Sequence, residues 1–194
     1  MPIPPGMHLF GPDSGTLSVR TSRTGAAAKA GHDLLLHVTD WRASLEVGAD
    51  STASGLTLDA DGASLRVREG TGGMQALDDD DRANIEQTID DEVLNRQRIE
   101  FRSTSVRPAK DGRLSVEGSL RLVGNTRPLA LEVAVDEAGT LSGSAVIKQS
   151  DWGIKPYSAL FGALKVADEV QVVFEARPLA DPGSPSEPGS RVST

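Results

Sequence analysis

The chain has 194 residues, enough for one domain with a substantial core. Its hydrophobic share of 38% and charged share of 25% are those of an ordinary globular protein. The net charge of −8 argues against a nucleic acid or an anionic membrane surface as partner, and the lack of cysteine excludes disulfides and thiol-based metal or redox sites.

The N-terminal sequence bears on the location of the protein. Residues 1–15 contain neither a cationic stretch nor an apolar core, so they do not resemble a signal peptide. Apolar runs along the chain are only a few residues long, which predicts no transmembrane segment. We therefore expect a cytoplasmic protein.

Composition divides the chain into three parts. Residues 1–12 are rich in proline and lack periodicity, which predicts a loose N-terminal arm. Residues 13–178 carry the periodic segments and form the predicted domain. Residues 179–194 combine Pro, Ser and Gly without apolar anchors, a composition typical of a disordered tail.

Short strands are predicted in the first half of the domain. Residues 15–21 and 41–47 alternate apolar and polar side chains, the pattern of a strand with one buried face. Residues 34–38 are apolar on both faces, so we expect a helix to cover their outer side. Residues 56–58 and 65–68 flank the turn sequence Asp-Ala-Asp-Gly, which predicts a hairpin.

One helix is predicted after these strands. Over residues 79–95, Ile85, Ile89 and Val93 recur four residues apart and form a narrow apolar stripe. The acidic run at 78–81 lies where carboxylates cap a helix and meet its positive end.

The second half of the domain returns to strand periodicity. Residues 99–135 predict three consecutive antiparallel strands, joined by turns at 110–112 and 124–128. Two further alternating segments follow, at 141–148 and 170–175, with a long loop between them.

About nine strands with one buried face, together with one helix, predict a mainly β fold. An antiparallel set of this size must close to hide its edges, so we expect an antiparallel eight-stranded lipocalin-like barrel with one helix. Small inward residues at Gly118, Gly143 and Ala145 should leave volume unfilled, which favours a hollow barrel. A packed β-sandwich is the alternative.

Four segments in order resemble a known family. Residues 99–106 resemble its strand after the helix, and 118–129 its leucine-x-leucine-histidine-glycine-x-threonine-lysine-proline hairpin. Residues 148–154 resemble its arginine-serine-aspartate-phenylalanine-glycine segment, and 168–175 its last strand. Over residues 13–178 the chain thus resembles the YceI-like family. The resemblance implies a lipocalin-shaped barrel that binds a polyisoprenoid or another long apolar lipid.

The sequence departs from the family pattern at three places near the expected cavity mouth. Val123 stands where the family often has histidine, and residues 93–96 replace an aromatic pair at the helix end. Residues 31–38 lack the usual arginine- and histidine-rich strand. The identity of the ligand therefore stays open.

The leading interpretation is a carrier or sequestering protein whose ligand is an apolar small molecule or lipid, with no cofactor. Inward-facing positions supply the expected wall, and aromatic residues of the long loop supply the expected mouth. The predicted ligand-binding residues are Leu120, Leu122, Leu131, Val133, Ile147, Trp152, Phe161 and Phe174.

A small hydrolase or metalloenzyme is a second interpretation. His32, Asp33 and His37 are weak candidates for a metal site. On an extended segment, however, His32 and His37 point to opposite faces because they are five residues apart. Ser150 followed by Asp151 predicts a local turn rather than a hydrolytic triad.

A packed β module that binds a protein partner is the third interpretation. Such a module would have no cavity. A homodimer formed through an uncovered strand or the helix face would fit it.

Overall fold

The computed structural model describes residues 3–50 and 52–179. This part of the chain is mainly β, and its strands fall in two sheets of eleven and three strands. The first seven strands are β1 (Gly6–Phe10), β2 (Gly15–Thr21), β3 (Arg23–Thr24), β4 (His32–Val38), β5 (Trp41–Val47), β6 (Ala53–Asp61) and β7 (Leu65–Gly72). After the helix α1 (Asp79–Thr88) come β8 (Arg98–Pro108), β9 (Arg113–Leu122), β10 (Asn125–Val135), β11 (Leu141–Lys148), β12 (Ser158–Ala159), β13 (Leu164–Val166) and β14 (Glu169–Ala176).

The large sheet is a curled half-barrel, so the expectation of a closed eight-stranded barrel is wrong. Its eleven strands run in the order β1-β5-β6-β8-β9-β10-β11-β14-β2-β4-β7, and every pair in it is antiparallel. The end strands β1 and β7 pair with one neighbour each. The apolar faces still meet around one core, because curling brings the inward side chains of distant strands together.

The central meander is confirmed. Strand β9 pairs with β8 and with β10 over nearly its whole length. The first turn places Asp111 and Gly112 in the left-handed region, with φ of 57° and 72°. The second turn is Val123-Gly124, with φ of 48° and 74°, and β10 begins directly after it. This turn is shorter than the predicted 124–128 segment, because Asn125 already pairs with β9.

Two inward glycines do not leave empty volume, contrary to expectation. A Cβ atom at Gly118 would lie 2.6 Å from Cζ of Phe101, and one at Gly143 would lie 2.7 Å from Cζ of Phe174. Each phenyl ring on a neighbouring strand therefore packs over a glycine. Close packing of this kind fills the barrel locally.

The predicted hairpin between 56–58 and 65–68 is wrong. Strand β6 pairs with β5 and β8, whereas β7 pairs with β4 at the far end of the sheet. A 3₁₀ turn at Gly62–Ser64 separates them, with Asp61 accepting the N–H of Ala63 at its start. The turn sequence therefore forms a corner at which the chain leaves β6 and crosses to β7 in the other half of the sheet.

The N-terminal segment is a strand, so the loose arm predicted at 1–12 is wrong for its described part. Strand β1 pairs with β5 from Gly6 to Phe10, and Ile3 and Phe10 are among the most buried side chains. Near the C-terminal end of the described residues, the N–H of Leu179 donates to the carbonyl of Leu9 in β1 at 2.7 Å. The predicted tail otherwise lies outside the described residues.

Helix α1 begins with the cap that the acidic run predicts. Oδ1 of Asp78 accepts the N–H of Asp81 at 2.8 Å, and the Asp81 carboxylate accepts the N–H of Asp78. A wider π-type turn at Ile89–Val93 continues the helix. No helix among the described residues has the length and apolarity to cross a membrane.

Side chains of α1 occupy the open edge of β7. Glu86 accepts the N–H of Val67 at 2.8 Å. Arg82 donates to the carbonyls of Val67 and Arg68 at 3.2 and 3.1 Å. The helix therefore satisfies backbone groups that a further strand would otherwise pair.

We predict that Glu86→Ala lowers the free energy of unfolding by about 1–3 kcal/mol, because the N–H of buried Val67 loses its acceptor. Glu86→Gln keeps an acceptor and should recover part of the loss. Glu92→Ala, which removes the same charge from an exposed position, is the control. Urea unfolding curves measure all three, and equal effects of Glu86→Ala and Glu92→Ala would contradict the edge-covering role.

Candidate ligand cavity

A cavity of about 630 Å³ lies between the concave face of the large sheet and α1. Most of its lining side chains are aliphatic. A volume of this size falls within the range of about 300–1,000 Å³ typical of small-molecule sites. The half-barrel is therefore hollow in this region, and Phe101 and Phe174 line the cavity while their rings close the space over the two glycines.

The strand period places the wall residues. Side chains two residues apart point to the same face of a strand, so each central strand offers alternate apolar residues to the cavity. The wall provided by β9, β10, β11 and β14 consists of Leu120, Leu122, Leu129, Leu131, Leu141, Ala145, Ile147, Val170, Val172, Phe174 and Ala176.

The helix forms another part of the wall. Ile85, Ile89 and Val93 of the predicted stripe line the cavity together with Leu34 and Leu36 of β4. The prediction that the helix covers the outer side of β4 is therefore wrong. The two elements share the inner side, because α1 lies against the edge of β7 beyond β4.

Five of the eight predicted ligand-binding residues line the cavity: Leu120, Leu122, Leu131, Ile147 and Phe174. Their positions agree with the inward faces of their strands. Their role in ligand binding stays a prediction.

The other three predicted residues do not line the cavity. Val133 is 1% exposed and pairs with Gly143, beside the filled part of the barrel. Trp152 is also buried, and its indole N–H donates to the carbonyl of Leu120 at 3.1 Å. Phe161 is fully exposed at the tip between β12 and β13.

Sequence reasoning missed Trp41 as a lining residue. It begins β5, is 4% exposed, and its indole N–H has no acceptor among the described residues. A ligand oxygen within reach would gain a hydrogen bond from this desolvated donor. The signal in the sequence was the alternation of 41–47, which marks Trp41 as inward but not as adjacent to empty space.

Polar groups collect at one side of the cavity lining. His32 Nε2 lies 2.8 Å from the carbonyl oxygen of Gln75. Nη1 of Arg23 donates to the carbonyls of Gly31 and Thr71 at 2.6 and 3.2 Å. Lys165 is exposed and also lines the cavity. This polar rim would favour a ligand with one polar end.

The three weak metal candidates have separate partners, and Oδ1 of Asp33 accepts the backbone N–H of Arg23 at 2.7 Å. His32 lines the cavity, whereas His37 lies on the other face, with Nδ1 accepting from Nε of Arg68 at 3.3 Å. Burial and the Arg68 charge lower the pKa of His37, against a smaller opposing effect of Glu69. Within residues 3–50 and 52–179, no three His, Cys, Asp or Glu side chains gather closely enough to hold a metal ion.

The Ser150 hydroxyl links the start of the long loop between β11 and β14 to its end at Asp168. It donates to Oδ2 of Asp168 at 2.6 Å, and the Ser150 N–H donates to Oδ1 at 2.8 Å. The bonds tie together the two ends of the segment that brings Tyr157, Leu164 and Lys165 to the cavity. The chain does turn locally at Gln149–Trp152, but the Ser150 side chain bonds to Asp168 rather than within that turn.

Fold and cavity together define a class: a curled antiparallel half-barrel with an apolar internal cavity. The model of the YceI-like domain family matches residues 16–177, which is most of the chain. The chain therefore belongs to the YceI-like family. A comparison with curated proteins gave no match.

Several solved structures share this fold. BcnA from Burkholderia cenocepacia has a TM-score of 0.61 and 18% identity, with 83% of this chain and 94% of that chain covered. The Campylobacter jejuni YCEI protein has a TM-score of 0.52 and 13% identity, covering 73% and 81%. A mutant CJ YCEI protein with a monobromobimane guest has a TM-score of 0.53 and 14% identity, with the same coverage. Identities this low establish the fold alone.

We predict a lowered pKa for Asp168, caused first by the hydroxyl of Ser150 and then by its backbone N–H. A depressed carboxyl pKa stabilises the fold at pH values above the ordinary 3.8, and this contribution is lost as the pH falls through the folded-state pKa. In Ser150→Ala the pKa of Asp168 should move up toward its ordinary value. Carboxyl carbon shifts followed by NMR measure it, and an unchanged pKa would contradict the assigned cause.

Proposed function

We propose that this protein binds one long apolar molecule, an isoprenoid or another lipid, inside the half-barrel and carries or sequesters it. The observation that carries the proposal is the aliphatic cavity of about 630 Å³. Membership in the YceI-like family adds support, because the family resemblance implies ligands of this kind.

The energetics favour a long chain over a short one. Each buried CH₂ contributes about 0.8 kcal/mol. Ten of them contribute about 8 kcal/mol, which is comparable with the roughly 4–15 kcal/mol lost in association. Short hydrocarbon chains should therefore bind weakly, and useful affinity should begin at about ten carbons.

The polar rim and Trp41 add selectivity to this apolar attraction. Arg23, His32 and Lys165 would receive a polar end, whereas the aliphatic wall would hold the chain. Trp41 follows the end of β4 away from His32, so its indole N–H would add affinity only where the far end of the bound molecule also carries an oxygen. The ligand class that fits best has one polar end and a long hydrocarbon body.

We predict that affinity for straight-chain fatty acids rises about fourfold per added CH₂ between eight and fourteen carbons, the value expected from burial of each group. Emission of Trp41 reports binding, because Trp41 lines the cavity and Trp152 does not. The Trp41→Phe variant identifies the source of the signal. An affinity independent of chain length would contradict binding inside the cavity.

We predict that Leu131→Glu reduces ligand affinity at least a hundredfold, because it places a charge in the aliphatic wall. Val146→Glu is the matched control, since Val146 is 59% exposed on a neighbouring strand. Ala145→Trp, which fills the cavity without a charge, gives a second test if Leu131→Glu does not fold. Isothermal titration with a fatty acid measures each variant, and unchanged affinity in a folded Ala145→Trp would overturn the site.

The competing interpretations have less support. A packed partner-binding module would have no internal cavity, which is at odds with the hollow region behind Leu131. The proposed function requires no catalytic step, and His32, His37 and Ser150 each have partners outside a common reaction centre. A homodimer stays a prediction that light scattering would test.

A further inference from the structure

The three-stranded sheet β12-β13-β3 forms one side of the cavity rim. Tyr157 and Leu164 of this region line the cavity, while the tip at Leu160–Gly162 faces solvent. Leu160 is 57% exposed, and Phe161 is fully exposed. Two large apolar side chains therefore project into water beside the opening.

The backbone holds this apolar tip in an unusual conformation. Leu160 and Phe161 have φ of 51° and 54°, in the left-handed region that residues with a Cβ mostly avoid. Strained positions of this kind persist where function requires them and are enriched at binding sites. A polar or glycine residue would be easier to place at this turn, so the exposed apolar pair needs an explanation.

The net charge of −8 argues against an anionic membrane as partner for the chain as a whole, but the charge around the tip is opposite to that of the rest of the chain. Segments 22–31 and 154–167 pack together through the N–H of Ala27, which donates to the carbonyl of Ala163 at 2.9 Å. They contain no acidic residue, and the remaining sequence has a net charge of −12. The cationic residues of the two segments are Arg23, Lys29, Lys155 and Lys165.

The three lysines of this surface are available to a partner. All three are exposed, and within the described residues none of them forms an ion pair. Arg23 is instead occupied, because Nη1 donates to the carbonyls of Gly31 and Thr71 and Nε lies 4.0 Å from Oδ1 of Asp33. The acidic start of α1, including Asp81, also lines the cavity and would be repelled by an anionic surface. The charge distribution would therefore orient the protein with the two segments toward an anionic surface and the start of α1 away from it.

We propose that segments 22–31 and 154–167 form a docking surface for an anionic lipid bilayer, with Leu160 and Phe161 inserted among the acyl chains and the lysines at the headgroups. Amphipathic surfaces with this division of charge and apolar side chains bind membrane interfaces. This inference rests on the proposed function, because docking would bring the cavity rim to a membrane that supplies the apolar ligand. The docking itself does not require a bound ligand.

Vesicle flotation with the full chain tests the proposal. One set of vesicles contains phosphatidylcholine alone, and the other contains phosphatidylcholine with phosphatidylglycerol. We expect binding to the anionic set, reduced about tenfold in Phe161→Ser because one inserted aromatic side chain is lost. Lys155→Gln and Lys165→Gln should each reduce it about fivefold. Val146→Ser, an exposed apolar residue elsewhere, should have no effect.

A spectroscopic measurement locates the insertion. In Phe161→Trp, vesicles carrying brominated acyl chains should quench the new indole, and the unsubstituted protein, which has Trp41 and Trp152 alone, measures any quenching inside the cavity. Loss of binding to anionic vesicles in high salt would support the role of the lysines. Absent or equal binding to both vesicle sets, or no quenching at position 161, would overturn the proposal.

Two controls separate this inference from the proposed function. Fatty-acid uptake without vesicles tests the cavity alone, and Phe161→Ser should retain it because Phe161 does not line the cavity. Failed uptake with intact vesicle binding would overturn the carrier function and leave the docking surface. A dimer in light scattering that dissociates in Phe161→Ser would show that the tip binds a second copy, which would overturn membrane docking.

Discussion

The hydrogen bonds between α1 and the edge of β7 are the constraint on which the rest of the structure depends. A curled sheet that does not close leaves a row of backbone groups unpaired at its last strand, and buried groups of this kind are costly. Glu86 and Arg82 satisfy them from a helix. Because a helix is thicker than a strand, it can cover this edge without bringing β7 into contact with the opposite end of the sheet.

The division between hollow and filled regions follows from a few side chains. Phe101 and Phe174 pack over Gly118 and Gly143 and remove volume there. Where the inward residues are aliphatic and no ring crosses the space, the cavity remains. Aromatic residues make up only 4% of the chain, but two of them lie where they set the shape of the interior.

Local periodicity predicted much of this architecture. The alternation at 99–135 identified three strands, and the spacing of Ile85, Ile89 and Val93 identified the helix and its inward face. The pairing of distant strands was beyond reach, because the turn after β6 looks like a hairpin turn whether β7 returns to β6 or crosses to β4. Strand β1 was missed because proline-rich composition hid its five-residue pairing with β5.

The candidate site shows the same limit. Alternation indicated which face of β10 is inward, and Leu131 lines the cavity as expected. It could not separate Leu131 from Val133, which share that face, because alternation gives the face of a residue but not the packing around it. Phe161 was placed at the mouth from its residue type, but the backbone turn points it away from the cavity.

Covering a sheet edge with a helix also changes how the molecule can open. Separating two paired strands breaks a continuous ladder, whereas α1 meets β7 through a small number of side-chain hydrogen bonds and an apolar stripe. Local opening free energies follow such differences in the number of bonds that must break together. The seam between α1 and β7 is therefore the least costly place for the wall to open, and an opening along it would admit a hydrocarbon chain sideways rather than end first.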